Sequence, residues 1–92
     1  MIDILERRLA PSDDAVESAV GDETVILHLV NCTYYGLDPV GTQIWGMLKV
    51  GRSTPDICRH LADRFGVDLA VIETDARKFL TDLEAQGILV DG

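Results

Sequence analysis

Few side chains in this sequence have the type and spacing that bond-making chemistry requires. His28 and Cys32 could meet across the end of a strand, where an imidazole base would activate a thiol for nucleophilic attack. No neighbour supplies the third group that would orient the imidazole, and a histidine on a strand is more often packed or at an edge than reactive. Cys58 and His60 sit two apart on a predicted helix, so they point about 200° from each other and cannot share a metal ion. Asp63, Glu73, Asp82 and Glu84 fall among polar positions and read as a solvated helix face. Gly36, Gly41, Gly46 and Gly51 are accounted for by turns and helix packing, with no strand-loop-helix phosphate cradle around them. The chain is therefore expected to be a binding domain and not an enzyme, with no catalytic residue, metal or cofactor.

Composition narrows what such a domain could bind. Ninety-two residues suit one hydrophobic core, and 47% apolar residues can fill it without disulfide or metal staples. Sixteen acidic against eight basic side chains give a formal charge of -8, which repels phosphate backbones and anionic membranes. Nucleic acid and membrane are thus disfavoured as partners. No basic leader precedes an apolar run at Met1-Ile2-Asp3-Ile4-Leu5-Glu6, and no apolar stretch approaches the roughly 20 residues that span a bilayer, so a cytoplasmic location is expected. In that reducing compartment Cys32 and Cys58 would remain thiols.

The elements follow from periodicity and punctuation. Residues 1–14 carry Ile2, Leu5 and Leu9 at near-helical spacing and turn polar at Pro11-Ser12-Asp13-Asp14; they read as an adaptable arm without firm structure, ahead of a domain over residues 15–92. From Ala15 to Val20 the pattern alternates, and Gly21-Asp22 supplies a hairpin turn. Thr24 to Val30 is apolar apart from His28, as expected of a central strand covered on both faces. Thr33-Tyr34-Tyr35-Gly36-Leu37 makes a third strand that closes a meander.

Asp38 then caps a helix with Pro39 in its first turn and with Val40, Ile44, Met47 and Leu48 on one face. After Gly51, Ser53-Thr54-Pro55-Asp56 starts a second helix whose buried stripe would be Ile57, Leu61 and Phe65. Gly66 ends it, Asp68 is placed to cap a third, and Ile72, Ala76, Phe79, Leu80 and Leu83 recur at helical spacing until Gly87. Three antiparallel strands followed by three helices define an α+β fold of the winged helix-turn-helix kind.

That topology raises DNA binding as an alternative, with Arg59, Arg64, Arg77 and Lys78 as contacts. Asp56, Asp63, Glu73, Asp75 and Asp82 are interleaved with them and break up any basic stripe. The sharper signal is at the sheet edges. The first strand region carries Asp13, Asp14 and Glu17, whereas Thr33 to Leu37 has neither charge nor proline to blunt it. Such an edge is either covered by the arm or by a dimer mate, or it accepts a partner strand.

The reading adopted is strand addition: an extended peptide pairs with the third strand and drops alternate side chains beside the third helix. Candidate contacts are Thr33, Tyr34, Tyr35, Gly36 and Leu37 on the strand, with Ile72, Asp75, Ala76, Phe79, Leu80 and Leu83 on the helix. Several of these helical positions must also serve the core. The protein would be a monomer or weak dimer.

Tyr34-Tyr35-Gly36-Leu37-Asp38-Pro39-Val40-Gly41-Thr42-Gln43-Ile44-Trp45, then Gly51-Arg52-Ser53, Asp56-Ile57, Leu61, and Phe79-Leu80 with Leu83 before Gly87, resemble the PqqD-like family. These are peptide-recognition domains of pathways that modify ribosomally made peptides, and the resemblance spans about residues 15 to 90. Its free-standing form is most similar to the precursor-recognition proteins of lasso-peptide biosynthesis. The resemblance implies a winged helix-turn-helix that holds a precursor's leader peptide as an added strand between the third strand and third helix. It also implies delivery of that precursor to a separate leader peptidase and a macrolactam-forming synthetase.

Overall fold

In a computed structural model, residues 3–21 and 23–91 are described. A 3-10 turn at Ile4–Glu6 leads into β1 (Leu9–Pro11), β2 (Ala15–Val20), β3 (Glu23–His28) and β4 (Thr33–Leu37). Helices α1 (Pro39–Lys49), α2 (Thr54–Phe65) and α3 (Leu69–Ala85) follow, and β5 (Leu89–Asp91) closes the chain. Strands β2, β3 and β4 form the expected antiparallel meander, in which Ile26 faces Glu17 on one side and Tyr35 on the other. The winged helix-turn-helix order is therefore as read. Gly21 takes φ +64, the left-handed conformation that a two-residue hairpin turn needs; its expected turn partner Asp22 lies outside the described residues.

The helix boundaries lie where capping chemistry puts them. Asp38 accepts a bond from the Gly41 amide at 2.6 Å and Ser53 one from the Asp56 amide at 3.4 Å, satisfying donors that the first helical turn leaves free. Gly66, at φ +65, ends α2 in the left-handed region. Asp68 occupies the cap position of α3, although its side chain makes no cap bond. Ile26, Ile57, Leu61, Leu80, Leu83, Ile88 and Leu89 are at most 1% exposed and join the meander's inner face to the helices.

Three expectations are corrected. The arm is firmly structured: Leu5 and Leu9 are buried in the core, and the Thr54 hydroxyl donates to the Leu5 carbonyl. Strand β1 pairs antiparallel with β5, a second sheet that the stop at Gly87 gave no hint of. Burying two leucines at roughly 1.5 to 3 kcal/mol each is what makes ordering this segment favourable. Asp3 holds Arg77 at 2.8 Å, and Arg7 bridges Glu84 and Asp91, fastening the arm to α3 and β5.

The apolar run from Thr24 to Val30 is covered on one face only. Ile26 and His28 point at the helices, while Leu27 is 40% exposed in a row with Val16 and Tyr34. Leu29 and Val30 lie in the following turn and face solvent. An unbroken apolar run does not reveal which face finds a partner layer. Finally, Phe65 is exposed, because the buried stripe of α2 stops at Leu61 and Phe65 sits in the last turn before Gly66.

Candidate functional site

Among the described residues, the third strand of the meander, β4, pairs with β3 alone. Leu29 donates its amide to the Asp14 carbonyl at 2.9 Å, so odd-numbered residues of β3 direct their backbone groups towards β2 and even-numbered ones towards β4. With Thr24, Ile26 and His28 opposite Leu37, Tyr35 and Thr33, the inner ladder uses those three residues of β4. The backbone N–H and C=O groups of Tyr34 and Gly36 are left on the outer edge, where no strand pairs among the described residues. The arm, one of the two expected covers, pairs with β5 instead. A Cβ at Gly36 would meet nothing within 4 Å. Packing in this fold does not demand that glycine, which leaves position 36 of the edge without a side chain.

Beside this edge lies a groove of about 380 Å³ between β4, the first half of α1 and α3. Val40, Ile44, Ile72, Ala76 and Phe79 make its floor apolar, and Asp38, Asp75, Asp82 and Lys78 stand around it. Tyr35 and Phe79 meet edge to face with centroids 6.3 Å apart, a favoured geometry for aromatic pairs. Burial pushes the Tyr35 phenol above its ordinary pKa, and the negative charge of Asp82 pushes it further. Tyr35 therefore stays neutral and can donate a hydrogen bond throughout the physiological range. Gly41 sits against Phe79, where a Cβ would lie 3.0 Å from the ring.

The expected contacts thus divide. Tyr35, Ile72, Asp75, Ala76 and Phe79 line the groove, and Thr33, Tyr34, Gly36 and Leu37 border it through the strand. The Tyr34 ring, 77% exposed, points to the opposite face of the sheet. Leu80 and Leu83 are fully buried, so their side chains belong to the core and present no surface to a ligand. Sequence reasoning missed Asp38, Val40, Gly41, Ile44, Lys78 and Asp82. A signal for Asp82 existed, since it stands three residues after Phe79 and seven after Asp75 on one face of α3.

The other candidate groups play structural parts. His28 is buried, and its Nδ1 accepts from the amides of Val30 and Asn31, which holds the turn after β3. Cys58 is buried, and burial raises its thiol pKa, the reverse of what a reactive thiolate needs. Arg59 and Arg77, two of the four cations weighed for DNA, are paired with Asp56 and Asp3. Among the described residues, no helix is long and apolar enough to cross a membrane.

The family model of coenzyme PQQ synthesis protein D, PqqD, matches residues 23–89. A solved structure of TbiB1 in complex with the TbiA(beta) leader peptide is 38% identical, covering 87% of this chain and 93% of that one, with a TM-score of 0.81. A lasso peptide synthetase B1 complexed with its leader peptide superposes with a TM-score of 0.83 over 90% of this chain and 98% of that one. At 19% identity that second likeness speaks to the fold alone. No curated protein matches the sequence.

Proposed function

The chain belongs to the PqqD family, and from that premise we propose that it binds the leader peptide of a ribosomally made precursor as an additional strand on β4. The observation that carries this reading is the open edge at Tyr34 and Gly36 lying directly beside an apolar groove. Ladder bonds to those two residues supply affinity without sequence selection, at about 1 kcal/mol net each. Selection comes from alternate leader side chains that enter the groove over Ile72, Ala76 and Phe79, each apolar anchor contributing roughly 1.5 to 3 kcal/mol before the peptide's ordering is subtracted. The likeness to TbiB1, which is solved with a leader peptide, supports this assignment, and the resemblance of the Tyr34 to Trp45 segment makes a lasso-peptide precursor the one proposed.

In this role the chain binds and presents, and catalyses nothing. A separate leader peptidase cuts the precursor it carries, and a macrolactam synthetase of the same pathway closes the product. Fluorescence anisotropy with labelled leaders of precursors encoded beside this gene tests the binding step, with affinity expected in the micromolar range or tighter. N-methylating leader amides one at a time tests strand addition, because only alternate amides face β4. Binding should fall at every second position within the docked segment. Absence of binding by every such leader would remove the assignment, and uniform sensitivity to N-methylation would remove the strand geometry.

A further inference from the structure

A second cleft, of about 480 Å³, opens at the other end of α1, between the arm, the last turn of α1 and the loop into α2. We propose that it is a docking site for an acidic peptide segment of a partner protein, independent of leader binding. Its lining holds Arg7, Arg8, Lys49 and Arg52, four of the chain's eight basic residues, against the single acid Glu6. Among the lining side chains themselves basic groups outnumber acids, the reverse of the leader groove, where three aspartates face one lysine.

The cations come from two separate stretches, the arm and the end of α1 with its following loop, so they suit several carboxylates spread along a chain better than one small ion. Arg8 is exposed and forms no ion pair among the described residues. Arg7, Lys49 and Arg52 are paired with acids from outside the lining, but such partly exposed pairs are weak because solvent screens them, and they can be shared with an arriving carboxylate.

Backbone pairing is not the means of recognition here. The Ser12 amide donates to the Ile88 carbonyl at 2.8 Å, so Ala10 and Ser12 direct their backbone groups at β5, and those of Leu9 and Pro11 point away from it. Pro11 has no N–H to offer, and a proline is a common device for blunting an edge. What remains is side-chain charge over a partly apolar wall that includes Ala10, Pro11 and Pro55. The occupant that fits is a peptide carrying carboxylates beside apolar residues.

The test uses the full chain and a fluorescein-labelled peptide of alternating glutamate and leucine, with the glutamine-leucine peptide of equal length as control. Anisotropy should show the glutamate peptide binding at least about tenfold more tightly, a preference weakened as salt screens the charges. The net charge of -8 would produce the opposite preference if no local site existed. Arg8→Glu should reduce this binding about tenfold and Arg8→Lys should preserve it, while leader affinity stays the same under both. Equal binding of the glutamine peptide, or indifference to Arg8→Glu, would overturn the proposal. Competition by inorganic phosphate at low millimolar concentration would also overturn it, by showing a small-anion site.

Discussion

The two clefts share α1 and use opposite physics. At its first half, the groove borders a strand whose outer edge carries no charge and no proline, so main-chain groups are available and apolar side chains select. At its last turn, the second cleft borders a strand blunted by Pro11, and cations take over where backbone groups are withheld. An open ladder accepts any extended chain and needs pockets for specificity; a blunted edge needs charge for attraction. With both proposed sites on one small domain, a leader and a protein partner would be held together without competing for one surface.

The largest separation of the two should come from Tyr35→Glu. Tyr35 already lies close to Asp82, so a carboxylate there adds like charge to a groove with three aspartates and removes an aromatic anchor. Leader affinity should drop about 100-fold or more, which corresponds to roughly 2.7 kcal/mol. Binding of the acidic peptide in the second cleft should stay within about twofold, since Tyr35 is not among its walls. Anisotropy with both probes on the same preparation checks this, and parallel losses would mean that the domain had unfolded or that the clefts are coupled.

Phe79→Ala should follow, with about a tenfold loss of leader affinity and a near-native circular dichroism spectrum. The Phe79 ring is only partly buried, packed edge to face on Tyr35, so the groove loses contact area while Leu80 and Leu83 continue to hold the core beneath. Unchanged leader affinity would place the groove elsewhere.

The sequence made some of this legible and concealed the rest, for physical reasons. The meander, the cap at Asp38, a hydroxyl cap at Ser53 or Thr54 and the stop at Gly66 were all readable because each depends on local chemistry between near neighbours. The uncharged edge of β4 was readable as a missing defence, an absence that local composition displays directly. The pairing of β1 with β5 was not, because it joins residues about eighty positions apart and each strand has three residues, too few for alternation to register. The same limit hid Val40, Gly41 and Ile44 from the groove: helical spacing shows that Ile44 faces inward, but not that a gap remains between α1 and α3 there. Leu80 and Leu83 show the converse error, since periodicity marks them as apolar without distinguishing floor from core.

Gly41→Ala probes that gap with a single methyl group. The new Cβ would approach the Phe79 ring at 3.0 Å and Asp38 Oδ1 at 3.1 Å, contacts that require the neighbours to yield. A ring on a side chain can swing, and the direction open to it is the groove. Alanine also gains up to about 1 kcal/mol of helix propensity over glycine. The expected outcome is a melting temperature unchanged or slightly raised, with leader affinity reduced about three- to tenfold and the second cleft unaffected. A clear fall in melting temperature would show instead that the Asp38 cap had been dislodged.

The smallest effect, and the one that links the two regions, belongs to Glu17. From β2 its carboxylate accepts bonds from Lys49 Nζ at 2.5 Å and Trp45 Nε1 at 2.9 Å, tying the meander to the last turns of α1. The Lys49 ammonium, and after it the Trp45 N–H, hold the Glu17 pKa below its ordinary value. A depressed carboxylate pKa stabilises the fold fully above the unfolded value and loses that contribution as pH falls through the folded one. The group is about 40% exposed, so solvent screening limits the charged pair to about 1 kcal/mol at most. Glutamine can still accept from Trp45. Glu17→Gln should therefore lower the melting temperature by only a few degrees at neutral pH, and the gap should close once the pH has fallen through the depressed folded value, where the wild-type carboxyl is protonated as well. Lys49, released from its partner, would add an unopposed charge to the second cleft and tighten acidic-peptide binding about twofold, leaving leader affinity alone. A melting difference that persists in acid would assign the loss to hydrogen-bond geometry instead of charge. Leader affinity falling in step would show that the meander's seat on α1 is shared by both clefts.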